Sequence, residues 1–193
     1  MARTKAFNRD KVLDKAMFLF WQKGYHATTM ENLVSHLGIN RASIYDTYGS
    51  KRDLFDKALN RYREQKYTRV AGILHQHQEV RKGFYRLFEF FVESAIDGDD
   101  AKGCLLVNAT TELAIADLYV QQKIASNQAV YEKLYVKYLE YGIKNKQLSE
   151  GLDLKSIASF FYTLQCGLEV AAKVQSSKED LMAQVNMGLK LLQ

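Results

Sequence analysis

Leu13, Ala16, Met17 and Phe20 recur at three- and four-residue steps, the spacing of one buried helix stripe. Asn8 stands where an N-cap belongs, Phe7 and Val12 are placed as a hydrophobic staple, and Gly24 is placed to close the helix. A second, shorter helix is predicted after Thr28 or Thr29, with Leu33, Val34 and Leu37 as its apolar face and Gly38 as its stop. Thr28-x-x-Glu31 has the spacing of a capping box. Only Ile39 and Asn40 then intervene before a third helix. Asn40 is its N-cap, Ile39 and Ile44 are its staple, Ile44, Tyr45 and Tyr48 are its inward side, and Gly49 ends it. Ser50-x-x-Asp53 opens a fourth helix that runs to about Leu74.

Longer helices are predicted over 81–97, 104–118, 120–145, 154–175 and 178–192. Their breaks fall at Asp97-Gly98-Asp99-Asp100, at Leu148-Ser149-Glu150-Gly151 and at Ser176-Ser177. Asp153 caps one of them with Leu152 and Ile157 as its staple, and Ser176-x-x-Glu179 caps the last. No alternating strand pattern of useful length interrupts the helices, so the fold class is all-α.

Composition agrees. The 193 residues include no proline, where roughly nine or ten are expected at the usual frequency of about 5 %. A chain that is 47 % hydrophobic and 25 % charged can build a globular core. No apolar run reaches the roughly 18 residues that a membrane span needs. Met1-Ala2-Arg3-Thr4-Lys5 lacks an apolar stretch behind its charges, so no secretory signal and a cytoplasmic location are expected. Cys104 and Cys166 are too few for a disulfide framework or a cysteine-rich metal site.

The net charge of +5 is unevenly placed, and this changes the picture. Residues 1–70 carry 14 Lys/Arg against 7 Asp/Glu, whereas residues 71–193 carry 13 against 15. A polyanion is therefore a partner for the first third alone, although an asymmetric solvated surface accounts for the charge equally well. No phosphate-binding glycine loop, H-E-x-x-H or G-x-S-x-G occurs. His75 and His77 fall on different faces of a helix, which makes a poor metal site, and Tyr62-x-x-x-Lys66 lacks the nucleotide-binding unit of a dehydrogenase. No catalytic residue, metal or cofactor is expected.

Two short helices joined by a tight turn containing glycine form a helix-turn-helix unit. The first crosses the DNA backbone and the second lays its N-terminal residues against base edges in the major groove. That second helix reads Arg41-Ala42-Ser43-Ile44-Tyr45-Asp46-Thr47-Tyr48. Its first turn offers Arg41 to phosphate or guanine, Ala42 to a thymine methyl and Ser43 to either.

The run Gly24-Tyr25-His26-Ala27-Thr28-Thr29, then Leu33, Leu37-Gly38-Ile39, Ala42-Ser43-Ile44-Tyr45, Tyr48-Gly49-Ser50-Lys51 and Leu54-Phe55 resembles the TetR/AcrR regulators. The resemblance is dense over about residues 8–56. It implies an N-terminal three-helix DNA-binding domain over 1–52, with the helix-turn-helix at about 29–48, and a ligand-binding and dimerisation domain over 53–193. It also implies roles: Thr29 or Met30 approaches the backbone, and Asn40, Arg41, Ala42 and Ser43 lie at the groove. Tyr45 gives its hydroxyl to a phosphate, Asp46 and Thr47 lie near bases or backbone, and Lys51 adds its charge to the positive end of the fourth helix. The family often has His or Asn where Asp46 and Thr47 stand. Tyr48 replaces a usual Phe as a core residue, and Arg3 and Lys5 either reach the minor groove or fray.

Beyond the third helix the resemblance is architectural. Ile157, Phe161, Leu164, Leu168 and Ala171, with Leu181, Val185, Leu189 and Leu192, make two apolar stripes that fit an internal core or a four-helix homodimer interface. The resemblance favours the interface. An effector site needs apolar walls and a few convergent polar groups. Phe88, Phe91, Cys104, Asn108, Glu112, Tyr135, Gln165 and Glu169 are the candidates, with Glu112 and Glu169 suited to a cationic ligand if buried. Phe84, Tyr85, Tyr131, Tyr138 and Thr111 share the same helices. Gly103-Cys104-Leu105-Leu106-Val107-Asn108 looks like a branch of the family that senses electrophiles and oxidants, and a helix N-terminus stabilises thiolate. A buried structural cysteine is the other reading, and the one taken for Cys166.

The sequence thus points to a sequence-specific, homodimeric DNA-binding regulator, a repressor released from a double-stranded operator by a small-molecule effector or by thiol modification. An activator or architectural factor of the same fold, lacking an effector, is the alternative. A helical protein–protein adaptor is a third reading, set apart by lacking salt-dependent DNA binding.

Overall fold

A computed structural model describes residues 7–96, 103–174 and 177–193. The calls on Arg3 and Lys5 and on the Asp97–Asp100 break therefore lie outside the described residues. The described elements are helical: α1 (Arg9–Lys23), α2 (Met30–Leu37), α3 (Arg41–Tyr48), α4 (Lys51–His75), α5 (Val80–Ile96), α6 (Leu105–Leu113), α7 (Leu118–Lys144), α8 (Leu154–Ala171) and α9 (Lys178–Gly188). Short 3-10 turns extend α8 over Ala172–Val174 and α9 over Leu189–Leu192. No helix among these residues is long and apolar enough to cross a membrane. The chain divides into two compact units, Met1–Glu64 and Gln65–Gln193.

The first unit is built on caps. Asn8 accepts from Lys11 N–H at 3.0 Å, and Asn40 accepts from Ser43 N–H at 2.8 Å. The capping box of α2 pairs Thr29 with Asn32, where Thr28 with Glu31 was a candidate from spacing. Thr28 is instead buried and its hydroxyl donates to Gly24 C=O at 2.6 Å. Ser50 and Asp53 cap one another at the start of α4, as their spacing predicts. Inside, Leu19, Phe20, Leu33, Leu37, Ile44, Leu54 and Phe55 are buried, and the Phe20 and Phe55 rings meet edge-on at 5.1 Å. Tyr48 belongs to this core, its hydroxyl donating to Arg9 C=O at 2.8 Å.

In the second unit, α5, α7, α8 and α9 surround an apolar core that includes Phe84, Phe88, Phe91, Tyr131, Tyr135 and Phe161. The stripes assigned to a dimer interface are corrected here. Ile157, Phe161, Leu168, Leu181, Val185, Leu189 and Leu192 are all buried within the chain, and only the half-buried Leu164 and Ala171 lie near the surface. The outward apolar residues are instead Phe160, Val170, Val174, Met187 and Leu191. Helix α8 is apolar on both sides, so periodicity alone does not say which side is inside. Two boundaries also differ. Helix α6 ends at Leu113 because Asp117 caps α7, accepting from Val120 N–H at 3.1 Å, and Ser177 rather than Ser176 caps α9.

Gly38 sits at φ +70°, a left-handed conformation that disfavours any Cβ, and an added Cβ there meets no heavy atom within 4 Å. Gly72, mid-helix in α4, also has nothing within 4 Å and carries no positive φ. Gly38→Ala should therefore destabilise the fold by about 1–2 kcal/mol, and Gly72→Ala should stabilise it by about 0.5–1 kcal/mol. Urea unfolding midpoints check the pair, and the reverse order would contradict the assignment of backbone conformation.

Candidate functional site

Two sets of side chains stand out, one in each unit. In the first, the left-handed turn at Gly38 and the cap at Asn40 leave only three residues between the end of α2 and the start of α3. Arg41, Ala42, Tyr45 and Asp46 are exposed, Ser43 and Thr47 half-buried, and Ile44 and Tyr48 face inward. The helix thus shows solvent a row of donors, acceptors and a methyl while its other side is fixed in the core. Tyr45, read from sequence as inward, faces outward. Arg41 donates to the Tyr45 hydroxyl at 3.5 Å and pairs with Glu31 at 3.9 Å. Both Arg41 contacts are solvent-exposed and therefore exchangeable for phosphate or a base edge.

The remaining residues of this set lie beside it in sequence. Thr29 is exposed; its hydroxyl accepts from Asn32 N–H and shares a side-chain hydrogen bond with the Glu31 carboxylate. Asn40 is exposed, with its Oδ1 committed to the cap of α3. Met30 is half-buried at the first position of α2. Lys51 opens α4, its ammonium 4.4 Å over the Tyr25 ring. A cation at the positive end of a helix is a favourable place for a phosphate and for little else.

The second set is buried. Lys66, on the second half of α4, donates to Glu169 Oε1 on α8 and to Cys104 Sγ at 3.0 Å. The side chains of Lys66 and Glu169 are only 10 % and 6 % exposed. The Phe91 ring lies 5.2 Å from the same ammonium. Two buried polar atoms here have no hydrogen-bond partner, Glu169 Oε2 and the Tyr131 hydroxyl. Nearby, the Tyr135 hydroxyl donates to Gln165 Oε1 at 2.7 Å, and Asn127 Nδ2 lies 3.4 Å from the Tyr162 hydroxyl.

Of the effector candidates read from sequence, Phe91, Cys104 and Glu169 come together around Lys66, and Tyr135 with Gln165 forms a buried pair. Phe88 is packed among Phe84, Phe91 and Phe161 as core. Asn108 accepts from Lys173, and Glu112 is half-buried near the end of α6. Sequence reasoning passed over Lys66. The signal was present: Tyr62, Val70 and Leu74, at four-residue steps along α4, are buried, and Lys66 is the charged residue in that row.

Cys104 is the N-cap residue of α6, but its thiol is pushed up rather than down. Burial is the main cause and the Glu169 carboxylate the second, with Lys66 opposing both. The helix-start argument for a thiolate is thus outweighed by desolvation. Cys166 is raised to about 12, again mainly by burial.

Comparison with known proteins places these features. Residues 12–58 match the family model for bacterial regulatory proteins of the tetR family, and residues 84–186 match that for the tetracyclin repressor-like C-terminal domain. The chain is 32 % identical over 197 aligned positions to the HTH-type transcriptional regulator YezE of Bacillus subtilis, covering 100 % of both chains. It is 27 % identical to the HTH-type transcriptional repressor ComR of Escherichia coli, over 98 % of this chain and 90 % of that one. Among solved structures, a cysteine mutant of the TetR family regulator CifR complexed with 26-bp operator DNA is similar at TM-score 0.88 and 28 % identity, covering all of both chains.

Removing one member of a buried ion pair strands the other charge, whereas replacing both by apolar groups is close to neutral. Lys66→Met alone should cost about 3–5 kcal/mol, and Lys66→Met with Glu169→Leu far less. Urea unfolding of wild type, both singles and the double closes the cycle. A Lys66→Met cost under about 1 kcal/mol would show that the pair is not a buried charge pair.

Proposed function

The chain belongs to the TetR family of bacterial transcriptional regulators, and on that premise we propose that it is a homodimeric, cytoplasmic, non-enzymatic repressor whose α3 reads an operator. The observation that carries this reading is the outward row Arg41, Ala42, Tyr45 and Asp46 at the start of a helix held in place by its buried face. Arg41 is suited to a guanine or a phosphate, Ala42 to a thymine methyl and Ser43 to either. Tyr45, Thr47, Thr29, Met30 and Asn40 position the helix on the backbone, and Asp46 suits a cytosine amine. Lys51 sits under a phosphate at the start of α4. The basic excess of residues 1–70 supplies the sequence-independent part of the affinity.

Dimerisation uses the outward apolar side of α8 and α9. Phe160, Val170, Val174, Met187 and Leu191 are large apolar side chains that stay exposed on these two helices and their 3-10 extensions, and a partner surface would cover them. A second copy gives the symmetric pairing that a pseudo-palindromic operator requires, with recognition helices about 34–36 Å apart. Release comes from the second unit, where a small-molecule effector or modification of Cys104 biases two subunit arrangements, one of which fits DNA poorly. Phe91, Asn108, Glu112, Tyr135, Gln165 and Glu169 are the residues proposed to face an effector, with Phe88 as core behind Phe91. The buried charges and unfilled hydrogen-bonding atoms around Cys104 support this, since such groups gather where a protein has work for them.

An operator selected from random duplex DNA provides the assay. Arg41→Ala should weaken binding by about 1–3 kcal/mol and relax preference at one base position. Lys51→Ala should weaken it evenly across sequences and reduce the salt slope by about 1. Unchanged affinity and slope in both variants would exclude this docking. In the same assay, alkylating Cys104 should release the operator and Cys104→Ser should resist that release. Equal release from the serine variant would remove Cys104 from the mechanism.

A further inference from the structure

Lys66 faces two groups that can become anions, Glu169 on α8 and Cys104 at the start of α6. One ammonium can neutralise one of them. The carboxylate takes it, since Lys66 and Glu169 form the buried ion pair. While Glu169 holds Lys66, Cys104 is therefore left as an uncharged, buried thiol, and the carboxylate's own field adds to the cost of ionising it. Among the described residues, the other groups that act on the thiol supply no second cation. Tyr131 from α7 and Tyr162 and Cys166 from α8 are neutral, each held so by burial. Lys173, next to Gly103, donates to Asn108.

The carboxylate is held by one oxygen only. Glu169 Oε2 is buried with no hydrogen-bond partner, an arrangement that costs free energy and favours any strong donor that reaches it. Such a donor would draw the carboxylate away from Lys66. The ammonium would then have Cys104 as its remaining anionic partner, already at hydrogen-bond distance.

We propose that the Lys66–Glu169 ion pair is a gate on Cys104. With the pair closed the thiol is inert, and when a ligand carrying an ammonium or another strong donor engages Glu169, Lys66 passes to Cys104 and the sulfur becomes the site of modification by soft carbon electrophiles. In that step the thiol gives its proton to solvent, the sulfur lone pair forms the S–C bond, and the leaving group departs with its electron pair. This deepens the reading of Cys104 as the modifiable residue, and it is measured without DNA, so its failure leaves operator binding untouched.

The test is alkylation by iodoacetamide, with iodide as the leaving group, from pH 6 to 9.5. It is followed by mass spectrometry of the Cys104 peptide, so that Cys166 does not contribute. Glu169→Gln removes the competing charge and should move the midpoint of the pH–rate profile down by about one unit or more, making the reaction at pH 7.5 about tenfold faster than wild type. Lys66→Met with Glu169→Gln should return the rate to the wild-type level or below. Glu169→Leu reads the same quantity if the glutamine variant does not fold. A carboxylate-free variant no faster than wild type overturns the gate, because Lys66 has then lost its own charge instead. A double variant as fast as Glu169→Gln also overturns it, since access rather than charge would be the cause.

Discussion

Gly38 adopts φ +70° in the three-residue connection Gly38-Ile39-Asn40 that joins α2 to α3, and the DNA-binding unit depends on that turn. A longer connection would leave α3 free to roll, and a β-carbon at Gly38 would strain the backbone. With the turn closed, Asn40 caps α3 and Ile44 and Tyr48 are locked into the core. The rotation of α3 is thereby set, and it is this rotation that puts Arg41, Ala42, Tyr45 and Asp46 outside. The outward face of α3 follows from a connection three residues long.

The second unit is organised by a different constraint. Lysine and glutamate are almost never buried unless paired, and a buried pair is a poor way to gain stability. Replacing Lys66 and Glu169 by apolar residues would be simpler if holding the fold were their task. They instead stand beside Cys104 with one carboxylate oxygen unfilled, and the proposed gate is a choice of which anion the lysine neutralises.

Much of this was legible in the residues. Caps and stops fall at chemically distinct side chains, so Asn8, Asn40, Asp153 and the three glycines after α1, α2 and α3 marked their boundaries directly. Spacing failed where two adjacent residues offer the same chemistry, as at Thr28 and Thr29 or Ser176 and Ser177. It failed again at α8, where Phe160 and Phe161 are equally apolar and only packing decides which one is buried. The buried site is half visible in the sequence: Glu169 stands out on an apolar helix and Cys104 at a helix start, but nothing marks Lys66 as their partner, because they lie 38 and 103 residues away in the chain. Long-range pairing leaves no local pattern. Between the two readings of Cys104, a thiolate at a helix start and a buried thiol, distant packing decides: desolvation outweighs the local helix end.

Selection of binding sites from random duplex DNA by the intact protein, followed by footprinting of the recovered sequences, tests the central claim most directly. The account predicts inverted half-sites whose centres lie about 10–10.5 bp, or a multiple of that, apart, with the major groove of each half-site protected. A recovered pool with no enriched symmetric motif, or protection confined to the minor groove, would contradict it.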